Sequence, residues 1–217
     1  MFARRSRTAH PVTDEGLRGL TVGAWGMLQT IIVLAVGTAG FATAALYLHS
    51  GQPAWPPDGI APPGAGRGVA SVVASVGACV AIVVARRRCL AEARPDTALA
   101  LLAAGALLVG AIVPLVLDLG ALPFRWDVHV YASLYWVITG VVVTYHAVAL
   151  LMVGATLGQR LVGLIDRDRM LELDNTVLMV FFTALAGAAL LALLHWLPVV
   201  HTADGVGVPQ VGPGSRG

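Results

Sequence analysis

The sequence predicts an all-α protein, a polytopic membrane bundle of five transmembrane helices with its amino terminus in the cytoplasm and its carboxyl terminus outside. Three observations predict it. Hydrophobic residues fill 57% of 217 positions and charged residues only 12%, with a mean hydropathy of +0.79, which leaves too little polar surface to cover a water-soluble globule. The apolar residues gather into five runs close to or beyond the roughly 20 residues that an α-helix needs to cross the hydrocarbon layer. The charges fall almost wholly between those runs, and unevenly.

Residues 1–20 read as a cytoplasmic amino-terminal segment, and 21–198 as one transmembrane domain. The first run, 22–48, follows Arg4, Arg5 and Arg7 and contains Ala42-Thr43-Ala44. Its apolar stretch is much longer than the roughly 7 to 15 residues of a signal-peptide core, so it is expected to span the membrane instead of being cleaved. A short loop follows with Trp55-Pro56-Pro57-Asp58-Gly59-Ile60, where two prolines restrict their own backbone and that of the residue before each. The second run, 68–85, is built of Val, Ala, Ser and Gly, with Ser71 and Ser75 on one helical face. Small residues at that spacing let helix backbones approach closely in lipid.

The third run, 97–121, carries Pro114, which removes a backbone donor and is expected to kink the helix. The fourth, 130–157, opens on Tyr131-Ala132-Ser133-Leu134-Tyr135-Trp136-Val137-Ile138-Thr139-Gly140 and ends near Gly154 and Gly158, a second small-residue pair expected to pack. The fifth, 176–198, has a comparable face at Ala184, Gly187 and Ala188, and Asp174 and Asn175 stand where they can cap its start. Asp166-Arg167-Asp168-Arg169 reads as a solvated charge run. The tail 199–217, rich in Gly, Pro and Val without periodicity, is expected to be disordered.

The fourteen basic residues are all Arg. With a cytoplasmic amino terminus, Arg4, Arg5, Arg7, Arg18, Arg86, Arg87, Arg88, Arg94, Arg160, Arg167 and Arg169 lie inside and only Arg67, Arg125 and Arg216 outside. That bias sets the orientation by the positive-inside rule.

Polar groups within hydrocarbon cost free energy unless paired, so each is a candidate site. The candidates are Gln29 in the first span, Asp118 near the outer end of the third, and Tyr131, Tyr135 and His146 in the fourth. Gln29 and His146 lie at comparable depth, which predicts a direct or water-bridged pair between spans one and four. Asp118, close to the outer boundary, reads more readily as a hydrated carboxylate than as a proton relay. His49, His129, His195 and His201 fall near the outer face, where histidines beside Trp55, Trp126 and Trp196 ordinarily belong to the interfacial belt. Cys79 and Cys89 form no CxxC pair, and a disulfide or metal framework is not expected. Nothing resembling a nucleophile elbow, a phosphate loop or HExxH argues for self-contained catalysis.

Read together, the Trp55–Ile60 loop after Tyr47-Leu48-His49 and the string Tyr131, Ser133, Tyr135, Trp136, Thr139 and Gly140 resemble subunit III of the haem-copper cytochrome c oxidases, in the short five-helix bacterial form. The resemblance spans roughly residues 20–198 and rests on about a dozen residues. Trp55, Pro56, Pro57, Gly59, Tyr131, Ser133, Tyr135, Thr139 and Gly140 carry it. The family's early buried Glu has no counterpart in the first span, which holds only Gln29. Its His-x-x-His string is replaced by Val142 and Tyr145 with His146 one place later, and its Trp-His-Phe-x-Asp string is missing from the last span. The carboxylate-dependent role is therefore not carried over.

The resemblance implies an accessory subunit in the cytoplasmic membrane of a bacterium. It would be non-catalytic, flanking catalytic subunit I beside subunit II, in contact with membrane lipids and not with nucleic acid, and supporting proton uptake in aerobic respiration. No cofactor is expected on this chain; haem and copper belong to subunit I. Three other readings stand beside it: an accessory subunit of a related nitric oxide reductase, a stand-alone membrane protein binding haem or quinone through the outer histidines, and a small transporter. The last has no internal repeat or paired broken helices to support it.

Overall fold

A computed structural model describes residues 21–57, 60–165 and 170–204, with backbone alone at Arg94 and from 200 to 204. Among them every regular element is an α-helix: α1 Val22–Ser50, α2 Gly66–Leu90, α3 Arg94–Ala121, α4 Val130–Leu161 and α5 Leu171–Asp204. All five are long and apolar enough to cross a membrane. Hydrogen-bonded backbone is the reason helices are used, because hydrocarbon offers no water to satisfy a free N–H or C=O.

The helices outrun the apolar runs, and chiefly at one end of the bundle. α2 continues through Arg86, Arg87 and Arg88, α4 through Arg160, and α5 begins five residues before Thr176. Hydropathy marks the hydrocarbon crossing, whereas a helix goes on into the headgroup layer, where charged side chains are solvated. This corrects two expectations. Asp174 lies inside the first turn of α5 instead of capping it, and its carboxylate accepts from Arg86 Nε at 2.7 Å. The helix also takes in 199–204 of the tail expected to be disordered. The rest of that tail, the segment 1–20, the charge run 166–169, and Asp58 and Gly59 of the Trp55 loop lie outside the described residues.

α2, α3, α4 and α5 close into a ring: α2 packs on α3 and α5, and α4 on α3 and α5. α1 leans on α5, touches α4 lightly, and buries only Met27 and Ala45. α3 runs on through Pro114 to Ala121. The small-residue faces divide. Ser71 and Ser75 are fully inside, and Gly187 is seated against α4, where a Cβ would come within 3.0 Å of the His146 ring and 3.2 Å of Val142. Gly154 and Gly158 are exposed and a Cβ on either would meet nothing within 4 Å. The expected packing at that pair is therefore absent from the fold of this chain, because those positions of α4 point away from α3 and α5.

Candidate functional site

The apolar interior is split into two clusters. One, at the Arg86 end, is built around Ile82, Leu101, Leu108, Val153, Leu173 and Met179. The other, at the opposite end, is built around Trp55, Leu115, Tyr131, Tyr135, Ile138 and Leu190. Asp118 and Thr139 are buried beside the second, while Thr97, Thr156, Arg160 and Thr176 are buried at the Arg86 end.

α1 stops at Ser50, and the Gly51 N–H bonds Tyr47 O at 3.3 Å. The chain then turns back and inserts Trp55, 2% exposed. Its indole meets Tyr131 edge-on at 5.2 Å and His49 at 5.5 Å, the geometry that aligns a ring edge with a π-face. Pro56 and Pro57 flank it half-buried, and Ile60 N–H donates to Pro57 O at 3.1 Å. On the other side, His129 caps α4 by accepting the Ala132 N–H on Nδ1 at 2.8 Å. Ser133 donates to Trp126 O at 2.6 Å, tying the first turn of α4 to the preceding loop. Phe124 packs between Tyr131 and Tyr135.

One turn further into α4, the Tyr135 hydroxyl donates to Asp118 Oδ2. Oδ1 of the same carboxylate accepts from Arg67 Nη1 at 3.1 Å, and Arg67 also donates to Leu117 O at 3.3 Å. Asp118 is 7% exposed. The expectation of a hydrated carboxylate is corrected: three helices converge on it, and the partner cation comes from the first turn of α2. The His195 ring of α5 stands 6.3 Å from Tyr135 and lies so close to Gly68 that a Cβ there would sit 2.9 Å from Nε2. Thr139, the next motif residue on α4, is 1% exposed, and its hydroxyl has no partner among the described residues, like the Trp55 indole N–H. Gly140 faces open space.

Deeper in the bundle His146 is 1% exposed. Nδ1 lies 2.8 Å from Val142 O, so it must carry a proton, and Nε2 lies 2.7 Å from the Ser75 hydroxyl, whose own proton is also within reach of Ser71 O at 2.8 Å. The carbonyl partner, which can only accept, fixes the proton on Nδ1. The predicted Gln29–His146 pair does not form, and Gln29 is not a buried polar residue: it is exposed on α1. Counting residues along a span yields depth but no rotation about the helix axis, and α1 turns Gln29 away from the ring. The polar bridge between α1 and α4 is made one residue earlier, where the Tyr145 hydroxyl reaches Thr38 Oγ1 at 3.1 Å.

His49, His129 and His195 all border the Trp55 cluster. Among the described residues no group of three or more His, Cys, Asp or Glu side chains could hold a metal ion. The arrangement is a structural lock: aromatic rings fix the loop, and a carboxylate shared by Arg67 and Tyr135 joins α2, α3 and α4. Sequence reasoning missed Arg67, Thr38 and Ser75 as partners. A positive charge at the first turn of a span, at the same membrane level as Asp118, was the one signal available for Arg67. Compared with known proteins, the chain matches no family model and no curated sequence.

Proposed function

We propose that this chain is the accessory subunit III of a haem-copper terminal oxidase in a bacterial cytoplasmic membrane, amino terminus inside, packed on catalytic subunit I beside subunit II. One observation carries the reading. The two segments behind the resemblance lie some 75 positions apart in the chain, and their bulky residues meet in a single cluster, Trp55 on Tyr131 with Tyr135 beyond. The same string supplies Ser133 and Tyr135 to the bonds that anchor α4. A second support is the open surface of α1, where Ile32, Val33 and Val36 are more than half exposed. The small-residue pair Gly154 and Gly158 is open as well, and a neighbouring membrane helix can approach closely there. In this reading the chain performs no redox step; it stabilises subunit I, which holds haem and copper, and sustains its proton uptake.

The test is to purify the tagged full-length chain from its native membranes. A many-span haem-containing partner that co-purifies in stoichiometric amount, with no haem spectrum from the chain made alone, is the expected result. Recovery without any haem protein, or haem retained by the isolated chain, sinks the proposal.

A further inference from the structure

Between α2 and α5, at the Trp55 end of the bundle, lies a recess that opens at the surface. Gly68, Val69 and Val72 wall it on α2, Ala188, Leu191 and His195 wall it on α5, and it has about 330 Å³ of space. The His195 ring lies directly against the α2 backbone, since a Cβ on Gly68 would come within 2.9 Å of Nε2. Tyr135 meets the same ring edge-on at 6.3 Å. His195 is half-buried, and both of its nitrogens keep accessible surface while neither hydrogen-bonds a described residue. Among the described residues no charged side chain lines the recess, and the Arg67 charge, one position from Gly68, is held by Asp118 at 3.1 Å.

We propose that this recess binds a neutral, membrane-soluble ring compound carrying a carbonyl or hydroxyl, the chemical class of the quinones, with His195 as its hydrogen-bonding partner. An imidazole that faces hydrocarbon with both nitrogens unpaired is unfavourable, so the fitting occupant brings a polar atom to it. Acyl chains have none to bring. A phosphate or carboxylate head does not suit the recess either, because a buried anion needs a cation and the walls supply none. Neutral imidazole offers one donor and one acceptor, so the same ring holds a quinone carbonyl through its N–H or a quinol hydroxyl through its bare nitrogen. Val69, Val72 and Leu191 give apolar walls, and the valines are stiff at χ1, so they lose little freedom when a ring packs on them. Small-molecule pockets are mostly apolar with a few placed polar groups and hold roughly 300 to 1,000 Å³, which the recess matches at the lower end. An isoprenoid or alkyl tail has a path along Val73 and Val76 of α2, 65% and 56% exposed. Binding here does not depend on the oxidase reading.

The test uses the full chain in a sugar-headed detergent, titrated separately with decylubiquinone and with decylbenzene, which keeps a ring and the same chain without the carbonyls, and retained ligand is read by native mass spectrometry. One decylubiquinone is expected to stay bound, with decylbenzene bound on the order of tenfold more weakly. His195→Leu loses that preference, and His195→Gln, which keeps a donor and an acceptor, retains most of it. Ala192 also lines the recess and is exposed, so Ala192→Trp covers the opening without entering the core, and its loss of the quinone separates occupancy from folding. Equal retention of the two compounds, displacement of the quinone by equimolar phosphatidylglycerol, equal weakening by the two His195 variants, or equal retention by the parent chain and all three variants overturns the site.

Discussion

α1 and α4 are both long, apolar and able to span a membrane, yet one buries two residues and the other buries residues at every turn from Tyr131 to Arg160. The difference does not lie in hydrophobicity, since lipid tails are as apolar as Leu and drive no helix inward. It lies in what each helix offers a neighbour. α4 carries Tyr135, Thr139, His146, Thr156 and Arg160 on its buried side, and three of these bond other helices or the chain beyond its end. Thr156 adds a fourth bond, to Thr176 of α5 at 2.7 Å. α1 offers Thr38 to Tyr145 and otherwise turns Gln29, Ile32 and Val36 outward. In a bilayer hydropathy decides which segments cross, and polar or small side chains decide which crossing becomes the centre.

The sharpest way to break this comparison is to shorten one aliphatic side chain in each helix. Ile138→Ala on α4, where the parent residue is fully buried, is expected to cost about 3 kcal/mol through the cavity left behind. Ile32→Ala on α1, 53% exposed, should leave the midpoint of unfolding in mixed micelles unchanged. Similar losses at both sites would mean that α1 is held as firmly as the ring. Overpacking supplies the converse. Gly187→Leu drives methyl groups into His146 and Val142 and should destabilise by about 2 kcal/mol, while Gly154→Leu, facing open space, is neutral in the isolated chain under the same assay.

Smaller effects sharpen the polar half of the argument. Asp118→Ala leaves the Tyr135 hydroxyl without its acceptor and Arg67 without its counter-ion, for an expected cost of about 1.5 kcal/mol. Arg67→Ala costs less, since that side chain is 47% exposed and screened. A double-mutant cycle reads the coupling, and its absence would show that the carboxylate is solvated after all. Thr38→Val removes one of the two α1 oxygens within reach of the Tyr145 hydroxyl, the other being Leu34 O at 3.4 Å, and is expected to cost about 0.6 kcal/mol. Faster hydrogen exchange confined to α1 is the matching readout; a change spread over the ring would contradict the picture of α1 as an edge helix.

Much of this was legible before any coordinates. The placement of the spans follows from the runs themselves, and Ser71, Ser75 and Gly187 were recognisable as packing positions because a small residue in a greasy helix has little other use. The same rule misread Gly154 and Gly158, since it cannot tell a face turned to a neighbour in the chain from one turned outward. His146 stood out as the innermost histidine, but its partner came from Ser75 on a helix where the serines suggested only close approach. Arg160 was counted as one more charge favouring its side of the membrane, and only the turn at Gly163 buries it.

Sequence alone determined how many segments can cross and which stretches stay in water, because bare charge and unbonded backbone are too costly in hydrocarbon for any fold to override. Tertiary structure decided the partners: Arg67 with Asp118, Ser75 with His146, Trp55 under Tyr131, and Gln29 left facing out. Each depends on the rotation of a helix about its own axis. No contrast between oil and water sets that angle inside a bilayer, so it is chosen by the side chains of the neighbouring helices.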